Sequence, residues 1–288
     1  MEPVLRPAHP EDKEQIVAFT RGTFPWGDYI DRVFDQWLAD PAGTTVVAEV
    51  SGEAVGLARS TLLSPAEAWA QGLRVHPQHR RRGLGTALLD RLADWATGQG
   101  AKVIRLSSED SNSAAGALIP TVGFRPVGRW LIVEMDGLRA GPVPRGNGGR
   151  RAPAADRLRP APAPEADAAM ISWSGGPLEG EAHGLFSRHW SCRRLTLQDL
   201  ADGARHGALW QGRPGWLLGE MDRDEFEVHW LSTDPEDARA MVVALLDLAA
   251  ATGADRLEMQ VPAVDWLSTA FEQAGCSTGP LTVYARGL

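Results

Sequence analysis

The sequence predicts an α/β fold: two tandem domains, each a mixed, mostly antiparallel sheet flanked by helices. Three observations carry this expectation. The first 137 residues run through a hairpin, a strand, a helix, a strand, a helix and a strand, an order that places helices against a mixed sheet. Short matches also recur at one offset: Leu5-Arg6-Pro7-Ala8 with Leu158-Arg159-Pro160-Ala161, Val75-His76 with Val228-His229, and Gly100-Ala101 with Gly253-Ala254 lie 153 residues apart, and Gly123 matches Gly275 at 152. Composition is that of a folded chain, 43% hydrophobic and 23% charged over 288 residues, which suits one or two domains.

The elements follow in order. Val4-Leu5-Arg6 starts a strand that Pro7 ends. His9 to Asp12 offer caps for a helix with Ile16, Val17 and Phe19 on its apolar side. Residues 28–38 show helical spacing in Ile30, Val33, Phe34 and Trp37. Residues 44–50 and 54–61 are β-rich runs across Ser51-Gly52-Glu53, a hairpin. Residues 68–75 form a further strand that His76-Pro77 stops. Residues 83–97 are an amphipathic helix, with Leu84, Leu88, Leu92 and Trp95 along one side and Gly98 and Gly100 at its end. A strand over 102–106, a helix over 113–122 and an extended segment over 124–135 complete the copy.

The division that results is residues 1–137, a linker at 138–155 and a second domain at 156–288. The linker is Pro/Gly-rich and unperiodic. Six arginines and one aspartate fall in residues 138–159, while the second domain is strongly acidic. The formal net charge of −8 disfavours nucleic acid and favours cationic small substrates. Neither a membrane span nor a secretory leader is expected, which points to the cytoplasm. Cys192 and Cys276 read as buried thiols of a reducing compartment, too few for a disulfide scaffold or a four-ligand zinc site. No metal is expected.

The chemistry concentrates in Arg80-Arg81-Arg82-Gly83-Leu84-Gly85-Thr86. This run leaves the strand at Val75 and opens a helix. A helix N-terminus presents free N–H groups and a positive dipole to an anion, glycine lets the backbone approach a bulky diphosphate, and the arginines add charge. A plain glycine-bearing helix start with exposed arginines is the competing reading. No P-loop pattern occurs, and Gly83 to Leu88 lacks the third glycine of the dinucleotide fingerprint.

Leu73-Arg74-Val75, His76-Pro77, the R-x-x-G-x-G run, Asn112-Ser113-Ala114-Ala115-Gly116-Ala117-Leu118 and Gly123-Phe124 follow one another in the order of a known pattern. Over residues 1–137 the chain resembles the GNAT superfamily of acyl-CoA-dependent N-acetyltransferases. The resemblance implies direct transfer of the acetyl group of acetyl-CoA to an amine. It implies that Leu73 and Val75 pair with the pantetheine arm, that Arg80, Arg81, Arg82, Gly83, Leu84, Gly85 and Thr86 hold the pyrophosphate, and that Asn112 bonds the cofactor arm. Asn112 is also a plain helix N-cap, and the two roles are compatible.

The pattern is broken where relatives carry the tyrosine that protonates the leaving thiolate, a position filled here by Ile119. The usual acidic positions read Ser107, Trp69 and Gln71. A lysine-like amine costs about 4 kcal/mol to deprotonate near pH 7.4, so a base matters more than an acid. Glu109 is the base that the sequence suggests; Asp110, Glu67, Asp28 and Tyr29 are weaker candidates. Thr23 to Tyr29 offer aromatic walls and one acid for a small amine or a peptide acceptor.

Shifted by 153, the loop becomes Thr233-Asp234-Pro235-Glu236-Asp237-Ala238, with three carboxylates and neither glycine. The second copy therefore reads as degenerate, without a cofactor loop. Its Trp173, Trp190, Trp210, Trp216, Trp230 and Trp266 read as packing residues, and its histidines show no metal spacing. An acyl-CoA sensor or scaffold with little turnover is the alternative to an enzyme. A tandem enzyme of the mycothiol-synthase type ranks lower, because its working copy is the C-terminal one. A monomer is expected, since a tandem chain satisfies within itself what single domains obtain by pairing.

Overall fold

The computed structural model describes residues 3–24, 27–138 and 152–288. Pro25 and Trp26 of the predicted acceptor loop, and residues 139–151 of the predicted linker, lie outside the described residues. The fold is mixed α/β, with mostly antiparallel sheet pairings and helices packed on the strands. The chain forms two compact units, and neither is one continuous stretch: unit 1 takes residues 1–108, 112–126 and 284–288, and unit 2 takes 109–111 and 127–283.

Unit 1 opens with β1 (Val4–Pro7), α1 (Lys13–Thr20) and α2 (Ile30–Ala39). It continues through β2 (Gly43–Val50), β3 (Glu53–Ser64), β4 (Glu67–Val75), α3 (Leu84–Gly98), β5 (Val103–Glu109) and α4 (Ser113–Leu118). Its strands lie in the order β1-β2-β3-β4-β5, antiparallel up to β4. The β4–β5 pair is parallel because α3 crosses between them. Alternation along the strands sorts their side chains to two faces. Val46, Ala48, Ala58, Ala68, Ala70 and Ile104 pack against Leu84, Leu88, Leu89, Leu92 and Ala96 of α3. Val47, Ala54 and Leu57 pack against Ile16, Ile30, Phe34 and Trp37 of α1 and α2. Arg6 joins β1 to both Asp12 (2.7 Å) and Glu49 (2.7 Å).

Helix α3 ends where the sequence says it should. Gly100 takes a φ of +89° and the Ala101 N–H reaches back to the Ala96 carbonyl, a glycine-dependent stop. Helix α4 is shorter than the sequence suggests. Pro120 offers no N–H to continue it, and a 3-10 turn over Ile119–Val122 follows.

Unit 2 contains most of β6 (Arg125–Asp136), then β7 (Arg159–Pro160), α5 (Ala166–Ser174), α6 (Pro177–Ala182), β8 (Leu185–Arg188), β9 (Ser191–Arg194) and α7 (Leu197–Arg205). It goes on through β10 (Leu209–Gly212), β11 (Gly215–Asp222), β12 (Glu225–Ser232), α8 (Ala238–Ala251), β13 (Arg256–Pro262), α9 (Asp265–Gln273) and β14 (Ser277–Gly287), the last residues of which belong to unit 1. Its strand order is β6-β13-β12-β11-β10-β7, with β12 parallel to β13 across α8. The strand–helix–strand–helix run β12-α8-β13-α9 thus matches β4-α3-β5-α4 of unit 1. Trp173 and Trp230 are buried edge to face, 5.6 Å between rings, the packing role read from the sequence.

Candidate active site

The site is built where β4 parts from β5. Parallel pairing covers Glu67–Trp69 and Val103–Arg105. Beyond it, Gln71 faces Arg59 and Arg74 faces Leu57 on β3, so Gly72 and Leu73 together stand opposite Ala58. That is a β-bulge, which bends a strand and ends regular pairing. Gly72 takes a φ of +67°, and a Cβ there would lie 2.5 Å from the Trp37 ring. Both facts require glycine. Sequence reasoning missed this residue, whose role appears only when Trp37 is brought beneath it.

Past the bulge, Leu73 and Val75 pack toward α3 and α4. Arg74, between them, binds Asp28 (Nε to Oδ2, 2.7 Å) and lies against the rings of Phe24 and Tyr29 at 5.2 and 5.4 Å. Asp28, its side chain 2% exposed, also accepts from the Ile30 N–H at 3.1 Å. The two acceptor-loop candidates are therefore tied to Arg74. Burial raises the Tyr29 hydroxyl above its ordinary value, which disfavours it as an ionised base. The carboxylate of Glu67 pairs with Arg105 at 2.6 Å, and both side chains are largely buried. Its role is to pin β4 to β5.

The loop after β4 turns at His76, whose Nδ1 accepts from the Gln78 N–H at 3.2 Å. Arg80 Nε donates to the Val75 carbonyl at 3.2 Å, and the Leu73 carbonyl accepts from Arg74 Nη1 at 3.1 Å. Arg80, Arg81 and Arg82 are exposed. Arg81 and Gly83 both take left-handed backbone, φ +60° and +79°. The first bond of α3 runs from the Ala87 N–H to the Gly83 carbonyl at 3.0 Å. The N–H groups of Leu84, Gly85 and Thr86 therefore have no carbonyl a turn behind them. A Cβ on Gly83 would meet nothing within 4 Å, so the space in front of the helix is open. One on Gly85 would come 2.8 Å from Leu118 Cδ2, so this glycine also lets α4 approach α3.

These features fit a diphosphate: N–H groups at a positive helix end face open space, with exposed cationic side chains beside them. Asn112 caps α4 by accepting from the Ala115 N–H at 3.1 Å, and its exposed side chain retains its amide donors. Ile119 is buried in the core, 3% exposed, with no proton to give. Glu109 ends β5 and belongs to unit 2, where the Ser111 hydroxyl donates to it at 3.3 Å.

Comparison with known proteins agrees with this architecture. The model of the "Acetyltransferase (GNAT) family" matches residues 11–124. A mycothiol acetyltransferase of Clavibacter sepedonicus is 30% identical over 240 residues, 78% of this chain and 69% of that protein. The chain belongs to the GNAT family. An L-2,4-diaminobutyric acid acetyltransferase of Nocardia farcinica is 37% identical over 91 residues, 31% of this chain and 47% of its own length. The chain thus spans less than half of that relative. The crystal structure of a GCN5-related N-acetyltransferase from Sphaerobacter thermophilus covers 99% of this chain and 95% of its own, with a TM-score of 0.69 at 16% identity, a likeness of fold. The GNAT family match spans α1 to Phe124 and so contains the bulge, the arginine loop and α4.

The corresponding stretch of unit 2 has different chemistry. Asp234 and Asp237 line a cavity of about 400 Å³ with Ser172, Ser232 and Thr233. Arg213, at 3.4 Å from Asp237, is also held by Asp156 at 2.6 Å. Carboxylates at this place repel a diphosphate. His229 is buried beside Glu220 (3.1 Å), and burial holds its ring below the ordinary histidine value. Both cysteines are buried, and burial pushes the Cys276 thiol up to about 11, so it stays protonated and unreactive at neutral pH. Among the described residues no helix is long and apolar enough to cross a membrane.

Proposed function

We propose that the chain transfers the acetyl group of acetyl-CoA to the amine of a small acceptor, by direct attack of the neutral amine. The observation that carries this reading is the open, left-handed Arg81–Gly83 turn at the head of α3, next to a strand bent away from its neighbour. Leu84, Gly85 and Thr86 would hold the pyrophosphate through their N–H groups, with Arg80, Arg81 and Arg82 adding charge. The bent segment from Leu73 to Val75 would align the pantetheine arm, with Asn112 across from it. The thioester supplies the acetyl group; the chain's part is to bind it, orient it and exclude water. A strand N–H facing the acetyl carbonyl would stabilise the charge that develops there.

The acceptor class follows from charge and kinship. A net charge of −8 favours cationic amines, and the diaminobutyrate relative shares 37% identity with part of this chain. The division into an active copy at 1–137, a linker at 138–155 and a degenerate copy at 156–288 is part of the same reading. It is supported by the matching strand–helix order of the two units and the aspartates at 234 and 237. We place the chain in the cytoplasm as a monomer.

Glu109 is the proposed base, acting directly or through water. The test is thiol release from acetyl-CoA against a panel of small amines, diamines and amino acids. Release that depends on one amine class, and a fall of about 10²-fold or more in Glu109→Gln, is the expected result. Full turnover in Glu109→Gln removes Glu109 from the mechanism. Acetyl-CoA binding without release for any amine supports a sensor instead.

A further inference from the structure

The turn after α4 carries no proton donor at Ile119, but unit 1 acquires a phenol from the far end of the sequence. Its C-terminal segment, Tyr284 to Leu288, packs into the same unit as the arginine loop. The segment is firmly held: Arg286 binds Asp90 (2.7 Å) and the Val122 carbonyl (2.9 Å), and the Leu288 N–H donates to the Lys102 carbonyl at 3.0 Å. At the other end of β14 the Pro280 carbonyl accepts from the Asp110 N–H at 3.1 Å. These two bonds fix one antiparallel register along β5, in which Tyr284 stands beside Leu106. Leu106 is the first residue past Arg105, where the β4–β5 pairing stops. Tyr284 lies on the α3 and α4 face, packed on the cluster that holds Leu84, Ile119 and Val122 and that also takes in Leu73, Ala115 and Leu118. It is half-buried. The chain's other tyrosine, Tyr29, is on the opposite face with Arg74 and Trp37.

We infer that Tyr284 is the catalytic acid, donating its hydroxyl proton to the sulfur of coenzyme A as the thiolate leaves. This rests on the acetyl-transfer reading above. The amine nitrogen forms its bond to the acetyl carbon, and the carbon–sulfur bond breaks with its electron pair passing to sulfur. The Tyr284 hydroxyl protonates that sulfur, and the proton shed by the new amide nitrogen returns to the tyrosinate through solvent. Tyr284 stands across β5 from β4, one residue past the last β4–β5 pair, on the face that carries α3 and α4.

The experiment compares wild type with Tyr284→Phe, which keeps the ring in the cluster, and uses two readouts. The first is binding of coenzyme A and of desulfo-coenzyme A by calorimetry. Wild type should prefer the thiol several-fold, and Y284F should lose that preference while holding desulfo-coenzyme A within about twofold of wild type. The second is turnover: kcat should fall about 10–100-fold, near the lower end for general acid help because the thiol is a good leaving group. An unchanged preference, or wild-type kcat in Y284F, overturns the assignment. Failure of wild type itself to bind desulfo-coenzyme A overturns the reading of the loop, a separate outcome seen before any variant is made.

Discussion

At the scale of single residues, the site depends on positions whose need for glycine has two different sources. Gly83 is constrained by backbone hand alone, because a side chain there would meet open space. Gly72 is constrained by hand and by the Trp37 ring. The first belonged to a legible motif; the second did not, since nothing near Gln71-Gly72-Leu73 tells that Trp37 comes to lie beneath it. Gly72→Ala should therefore cost about 2–3 kcal/mol of stability in denaturant titration, from strain at positive φ together with the displaced ring. It should also weaken acetyl-CoA binding more than a core substitution of equal cost, such as one in α2. Equal affinity in wild type and Gly72→Ala would deny the bulge its part in shaping the site. Asp28 and Glu67 show the reverse limit of sequence reading. Both had the chemistry of a base, and each is occupied by an arginine, Arg74 or Arg105, that only the fold brings near.

At the scale of elements, periodicity made most of unit 1 legible. The stripe Leu84, Leu88 and Leu92 marked α3, and the Ser51-Gly52-Glu53 turn marked the β2–β3 hairpin. Local chemistry is enough for such elements. Long-range pairing is not written locally, which is why Tyr284–Leu288 read as the tail of the second copy although it completes unit 1. Strand β12 of unit 2 carries a second consequence of pairing. Burial, with Glu258 next in effect, pushes the Glu225 carboxyl up to about 7, while Arg256 pulls the other way and Glu227 and Asp222 add smaller upward pushes. A carboxyl raised on folding binds its proton more tightly in the native state. Its contribution is therefore full at low pH and is lost as pH rises from the ordinary carboxylate range through about 7. Glu225→Gln should melt at a higher temperature than wild type at pH 8 and at nearly the same temperature at pH 4, below the ordinary carboxylate value. Melting curves that differ equally at both pH values would show that the carboxyl is not held protonated by the fold.

At the scale of the whole molecule, the same strand–helix–strand–helix run occurs in both units; among the described residues the turn before α3 is left-handed at Arg81 and Gly83, while the turn before α8 carries Asp234 and Asp237 and no left-handed residue. The 153-residue offset is what suggested a repeat, and the absence of counterparts to Gly83 and Gly85 at that offset is what suggested a degenerate copy, both of which belong to the proposed reading. The acceptor was not legible: Asp28 and Phe24 of the Thr23–Tyr29 loop, the sequence's local pointer to it, are tied up by Arg74. The central claim is that one unit binds the cofactor and the other does not. Its most direct test is calorimetric titration of acetyl-CoA into the full chain. A stoichiometry near one per chain, abolished when Gly83 and Gly85 are both replaced by valine and unchanged when Asp234 and Asp237 are replaced by asparagine, is the predicted result. Two sites per chain, or one site that survives loss of both glycines, would contradict it.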